Sequence, residues 1–133
     1  MNLLDAPVPI RLKLSALWAA VMFCYVYGDY FDLFKPGKLA AMTAGQTPLG
    51  PTTQAKLLGF AVMMAIPSAM VFLSLVLRAG VCRWANVILG IVYSAIIVLT
   101  MPGAWAFYLF LGCVEIALTL AVAWYGWTWP RQA

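Results

Sequence analysis

Glu115 lies near the middle of an apolar run from Ala104 to Tyr125 and is the only acidic or basic residue in it. An ionised carboxylate in hydrocarbon costs several kcal/mol, so a carboxyl there faces a bundle interior, pairs with a partner or keeps its proton. A second acidic feature sits on an earlier apolar run. Tyr25, Asp29 and Asp32 recur at spacings of four and three, which places them on one helix face, with Gly28 beside them. Both aspartates fall near the end of that run. They read either as an interfacial pair bonded to Lys35, Lys38 or Tyr30, or as an acidic mouth leading inward to Glu115.

Hydroxyl groups lie within reach of the same depth. At about 1.5 Å of rise per residue, Tyr25, Ser68, Tyr93 and Ser94 fall near the level of Glu115 on three other apolar runs. The site expected from the sequence is therefore Glu115, Asp29, Asp32, Tyr25, Tyr93 and Ser94, binding an ion or a ligand. The plainer alternative has the hydroxyls bonding backbone carbonyls or one another, and Glu115 tying two helices together. Pro67 should free a backbone carbonyl at mid-depth. Trp18, Tyr25, Tyr93 and Tyr108 could wall an apolar pocket and stack on a cation.

Other chemistry has no support in the residues. The chain has no histidine, which removes the commonest neutral-pH base and the commonest metal ligand. Cys24, Cys82 and Cys113 are far apart and form no dithiol motif. No glycine-rich phosphate loop, nucleophile elbow or metal-ligand cluster occurs. No catalytic residue, metal or cofactor is assigned. An enzyme using Glu115 as acid or base ranks behind the other readings.

The elements that must position these residues are membrane helices. Of 133 residues, 65% are hydrophobic and 9% charged; a soluble domain carries about 25% charged residues. Four stretches are long enough to span a bilayer, for which about 20 residues suffice. They run from about Leu12 to Phe34, Leu57 to Leu77, Trp84 to Met101 and Trp105 to Tyr125. Each must be a helix, because lipid cannot satisfy an open backbone. The expected fold is all-α: a polytopic membrane protein with four transmembrane helices in an antiparallel bundle, forming one domain over residues 1–133. The loop from Lys35 to Lys56 is rich in proline and glycine, with a short helix over Leu39–Ala44. Arg78 to Arg83 reads as a second connection and Thr100 to Gly103 as a hairpin. Asn86, Gly90 and Ser94 form one small-residue stripe, and Ala61, Ala65 and Ala69 another; both read as packing faces.

Charge sets the expected orientation. The side holding both termini carries Arg11, Lys13, Arg78, Arg83 and Arg131; the other carries Lys35, Lys38 and Lys56. Five against three favours cytoplasmic termini. Trp124, Trp127 and Trp129 form an interfacial belt at one end, and Tyr27, Tyr30 and Phe31 form one at the other. The net charge of +4 is spread singly, which suits a membrane surface and not nucleic acid.

The strings Tyr25-Val26-Tyr27-Gly28-Asp29-Tyr30-Phe31, Pro36-Gly37-Lys38, Pro48-Leu49-Gly50-Pro51 and Thr100-Met101-Pro102-Gly103-Ala104-Trp105-Ala106-Phe107-Tyr108 carry a resemblance. From about Leu14 to Arg131 the chain resembles a family of small four-helix bacterial membrane proteins known as a domain of unknown function. That resemblance implies four helices in the bacterial inner membrane and no particular activity. A fainter resemblance, through Gly112-Cys113-Val114-Glu115, is to DoxX-like four-helix proteins.

Two functions compete. The first is a homo-oligomeric proton- or cation-coupled transporter or channel, with Glu115 on a path opened by Asp29 and Asp32. The second is a binding or accessory module holding a lipid, a quinone-like molecule or a cationic amphiphile. An acidic axis in a ring of subunits would support conduction. A cavity inside one chain would support binding.

Overall fold

The computed structural model describes residues 2–131. Its elements are α1 (Ile10–Asp32), α2 (Lys38–Thr43), β1 (Gln46–Thr47), β2 (Gly50–Pro51), α3 (Gln54–Val76), α4 (Ala79–Thr100) and α5 (Ala106–Trp127). The helices α1, α3, α4 and α5 are each long and apolar enough to cross a membrane. The chain is thus an all-α, multi-pass membrane protein. Large apolar side chains such as Phe23, Leu58, Phe72 and Phe110 point outward, as expected where lipid is the solvent.

The helix ends follow local chemistry. Pro9 precedes α1 with its ring-fixed φ of −57°. The Thr53 hydroxyl caps α3 by accepting from the Lys56 backbone N–H at 3.1 Å. Gly37, at φ 80°, turns the chain between α1 and α2, and Gly103, at φ 76°, turns it between α4 and α5. Few other residues adopt such angles at low cost.

Three details depart from the sequence expectation. The third membrane helix begins at Ala79, not near Trp84, so Arg83 lies inside it and the connection shrinks to Leu77 and Arg78. Arg83 is accommodated because its guanidinium donates to the carbonyls of Gly126 and Trp127, both at 3.1 Å, and stacks on Trp84 and Trp127. After the short helix α2, the loop forms a small antiparallel hairpin, with Thr47 opposite Gly50. Finally, Ala61, Ala65 and Ala69 are exposed; the buried side of α3 carries Pro67, Met70 and Ser74.

The bundle is unevenly packed. α1 lies between α3 and α5, and α4 packs closely on α5, but α3 and α4 meet only sparsely despite their short connection. α1 and α5 run antiparallel, with Arg11 over the Trp129 ring, Lys13 over Tyr125 and Phe31 against Phe107. The α4–α5 seam is close because Gly90 and Gly126 lack side chains. A Cβ on Gly90 would sit 2.7 Å from the Thr119 carbonyl oxygen, and one on Gly126 would sit 2.9 Å from Val87 Cγ2. Small residues permit such backbone approach in membrane helices.

The half of the bundle nearest the termini is filled. Leu14, Trp18, Val21 and Val122 are fully buried there. The Trp18 indole donates to Asn86 Oδ1 at 2.7 Å, and Asn86 Nδ2 donates to the Cys82 carbonyl at 2.8 Å. Ser15 donates to the Val71 carbonyl at 2.6 Å, and Arg11 to that of Ser74 at 3.2 Å. These bonds join α1, α3 and α4 where hydrocarbon supplies none.

Candidate functional site

The other half of the bundle is hollow. Toward the Lys35–Lys56 loop the four membrane helices enclose a cavity of about 640 Å³. α1 contributes Tyr25, Gly28, Asp29 and Asp32. α3 contributes Leu57, Phe60, Met63 and Met64, and α4 contributes Tyr93, Ile96, Ile97 and Thr100. α5 supplies Tyr108, Leu111 and Glu115. Lys38, Met42, Gln46, Thr47, Pro48 and Thr52, from α2 and the hairpin, lie over the top.

Five of the six residues singled out from the sequence line this one space: Glu115, Asp29, Asp32, Tyr25 and Tyr93. Ser94 does not. Its hydroxyl is 2.6 Å from Thr119 Oγ1 and donates to the Gly90 carbonyl at 2.7 Å. Ser68, also expected near Glu115, is exposed and bonds the Met64 carbonyl one turn back. Trp18, expected as a pocket wall, stands behind the cavity in the filled half. The methionines Met63 and Met64 also line the cavity.

Tyr93 forms part of the floor. Its hydroxyl donates to the Met63 carbonyl at 2.6 Å. That carbonyl lies four residues before Pro67, which has no N–H to donate to it. Tyr93 thus satisfies the backbone acceptor that proline leaves open and pins α4 to α3 across their loose seam. Its ring meets Trp18 edge-on at 6.1 Å between centroids.

Glu115 lies beside it, and only 7% of its surface is exposed. Among the described residues, no side-chain hydrogen bond or ion pair reaches its carboxyl, while its backbone carbonyl accepts from Thr119 at 2.9 Å. The carboxyl oxygens keep accessible surface, which opens on the cavity. The expected helix-to-helix tie through Glu115 is therefore not made; Ser94 and Thr119 make that link one turn away. Buried polar groups are nearly always paired, so a lone carboxyl facing a cavity is unusual.

The mouth is electrostatically divided. Asp32 is bonded by Lys38 at 3.1 Å and Lys35 at 3.4 Å, which is the interfacial pairing anticipated for it. Lys35 also stacks over Trp105. Lys56 donates to the carbonyls of Leu49 and Pro51 and closes the hairpin. Asp29 has no ionic partner among the described residues. Lys35 and Lys38 both converge on Asp32, and Asp29 beside them is exposed, so Glu115 is the buried carboxyl left without a partner among the described residues. No cluster of three potential metal ligands occurs among the described residues.

Comparison with curated proteins and with solved structures returned no match. The DoxX-like similarity is accordingly not shown. A family of unknown function (DUF6326) matches residues 6–133, and the chain belongs to it.

Proposed function

We propose that this member of the family binds a small amphiphile with a cationic head in the cavity between its membrane helices. The observation that carries this reading is Glu115: buried, without a partner, and facing the floor of a cavity of ligand size. Asp29 adds negative potential near the mouth. Tyr25, Tyr93 and Tyr108 offer ring faces to an ammonium group. Phe60, Met63, Met64, Ile96 and Ile97 suit a flexible apolar tail. A neutral quinone or lipid would leave Glu115 unmatched.

The basic-residue asymmetry supports an orientation with both termini in the cytoplasm, which in a bacterial inner membrane would turn the cavity mouth outward. A ligand would then be taken from the periplasmic side or the outer leaflet. Transport by the same site is the second reading. It is favoured by the loose α3–α4 seam, along which one helix could shift. A binding site inside one chain needs no oligomer to form it.

The test is calorimetric titration of the protein in lipid nanodiscs with an alkylamine and with the alcohol of the same tail. The amine should bind at least about tenfold more tightly than the alcohol, and Glu115→Gln should lose that preference; one charge-assisted hydrogen bond is worth about this much. Equal affinity for amine and alcohol in the wild type would overturn the reading. Amine-driven flux in sealed liposomes would move the conclusion from binding to transport.

A further inference from the structure

The cavity has one weakly closed flank. Around the bundle α3, α1, α5 and α4 follow one another in close contact, and only the seam between α4 and α3 is loosely packed. Among the described residues, the side-chain hydrogen bonds across that seam run from the connection only as far as Met63. Near the connection Cys82 donates to the Ser74 carbonyl and Asn86 to the Ser74 hydroxyl, each at 3.5 Å, and at the cavity floor Tyr93 holds the Met63 carbonyl. Beyond Tyr93, α4 runs on to Thr100, about 10 Å of rise. No hydrogen bond or ion pair joins it to α3 in that layer among the described residues. Phe60 and Met64 on α3 and Ile96 on α4 line the cavity there and are half-buried. Val92 and Leu99, one turn to either side of Ile96, are exposed. The end of the cavity is covered instead. Lys56 ties the hairpin to α3, and Lys38 ties α2 to Asp32 of α1.

We infer that the amphiphile enters the cavity sideways, from the lipid, between the loop-side halves of α3 and α4. Its ammonium head reaches Glu115, and its tail stays in the seam and the hydrocarbon beyond it. The ligand is then a long-chain amine dissolved in the leaflet nearest the Lys35–Lys56 loop, not a water-borne one. On this route the tail never meets water, so it avoids a cost of about 0.8 kcal/mol per exposed methylene. Phe60, Met64 and Ile96 offer that tail flexible, apolar edges. Between the levels of Tyr108 and Glu115 the cavity is about 10 Å deep. An extended hexadecyl chain is longer than this, and an open seam removes the limit. This inference rests on the cationic-amphiphile reading and adds the source of the ligand and the place of its tail.

The deciding experiment titrates octylamine and hexadecylamine into the wild-type protein in nanodiscs, each beside the alcohol of the same tail, so that partition of the tail into lipid cancels. The preference for amine over alcohol should agree between the two tails within about twofold. A larger fall for the hexadecyl pair would mean an enclosed tail and overturn the proposal. The route is read with hexadecylamine carrying a diazirine at its tail end, photolysed in the same nanodiscs and mapped by mass spectrometry. Labelling that excess octylamine displaces should fall on Val92, Ile96 and Leu99, at the edge of the seam. Displaceable labelling that misses these three overturns the proposal. On Gln46 and Pro48 it would mean entry from water past the hairpin, and on Ile97 and Leu111 a tail held inside. If neither amine binds better than its alcohol, the cationic-head reading itself falls.

Discussion

Asn86 and Glu115 are both buried polar residues on apolar helices, and the two halves of the bundle treat them differently. Asn86 accepts from Trp18 and donates to the Cys82 carbonyl, so its amide is spent on holding α1 and α4 together. Glu115 is spent on nothing in the protein. A satisfied polar network in low dielectric rigidifies its surroundings. An unsatisfied carboxyl is a debt that only a proton, an ion or a ligand can settle. The filled half is thus scaffold and the hollow half is site, and the boundary passes between Trp18 and Tyr93.

This contrast can be broken at several points. The largest expected effect is at the α4–α5 seam. Gly90→Leu would force side-chain atoms where even a Cβ lies 2.7 Å from the Thr119 carbonyl. It should cost about 3 kcal/mol or more in denaturant unfolding from detergent micelles. A cost under about 1 kcal/mol would mean that the seam yields.

Next comes Asn86→Leu, which leaves the Trp18 indole N–H without its acceptor in the fully buried layer. A loss of about 1–2 kcal/mol is expected by the same measurement. Smaller still is the effect of Glu115→Gln on stability, expected within about 0.5 kcal/mol of wild type, because no protein bond is removed. Were Glu115→Gln as damaging as Asn86→Leu, the distinction between scaffold and site would collapse.

The four membrane helices were legible because their apolar runs are about as long as a bilayer is thick. α4 starts five residues before the expected Trp84; in sequence Arg83 reads as an interfacial stop. Its partners, the carbonyls of Gly126 and Trp127, lie far along the chain. The hairpin escaped notice because two-residue strands have no periodicity to detect, although Pro48, Gly50 and Pro51 marked a turn. Pro67 announced a free carbonyl; nothing in the sequence named Tyr93 as its donor.

The cavity was harder to foresee. In lipid both sides of a helix are apolar, so hydropathy does not say which face turns inward. Ala61, Ala65 and Ala69 looked like a packing face and point outward, while Met63 and Met64 line the cavity. Asp29, Asp32 and Tyr25 were readable because helical spacing puts them on one face. Ser94 was not separable from them by depth alone, and only Thr119 across the seam explains its role.

The edge-on contact between Tyr93 and Trp18 has an optical consequence. The chain has six tryptophans. Trp84, Trp105, Trp124 and Trp127 are exposed near the bundle ends and Trp129 is half-buried, while Trp18 is fully buried behind the cavity floor. Its indole is held by a hydrogen bond on one side and meets a floor residue on the other. With the other five replaced by phenylalanine, the emission of Trp18 becomes an intrinsic gauge of whether the floor moves when the cavity fills.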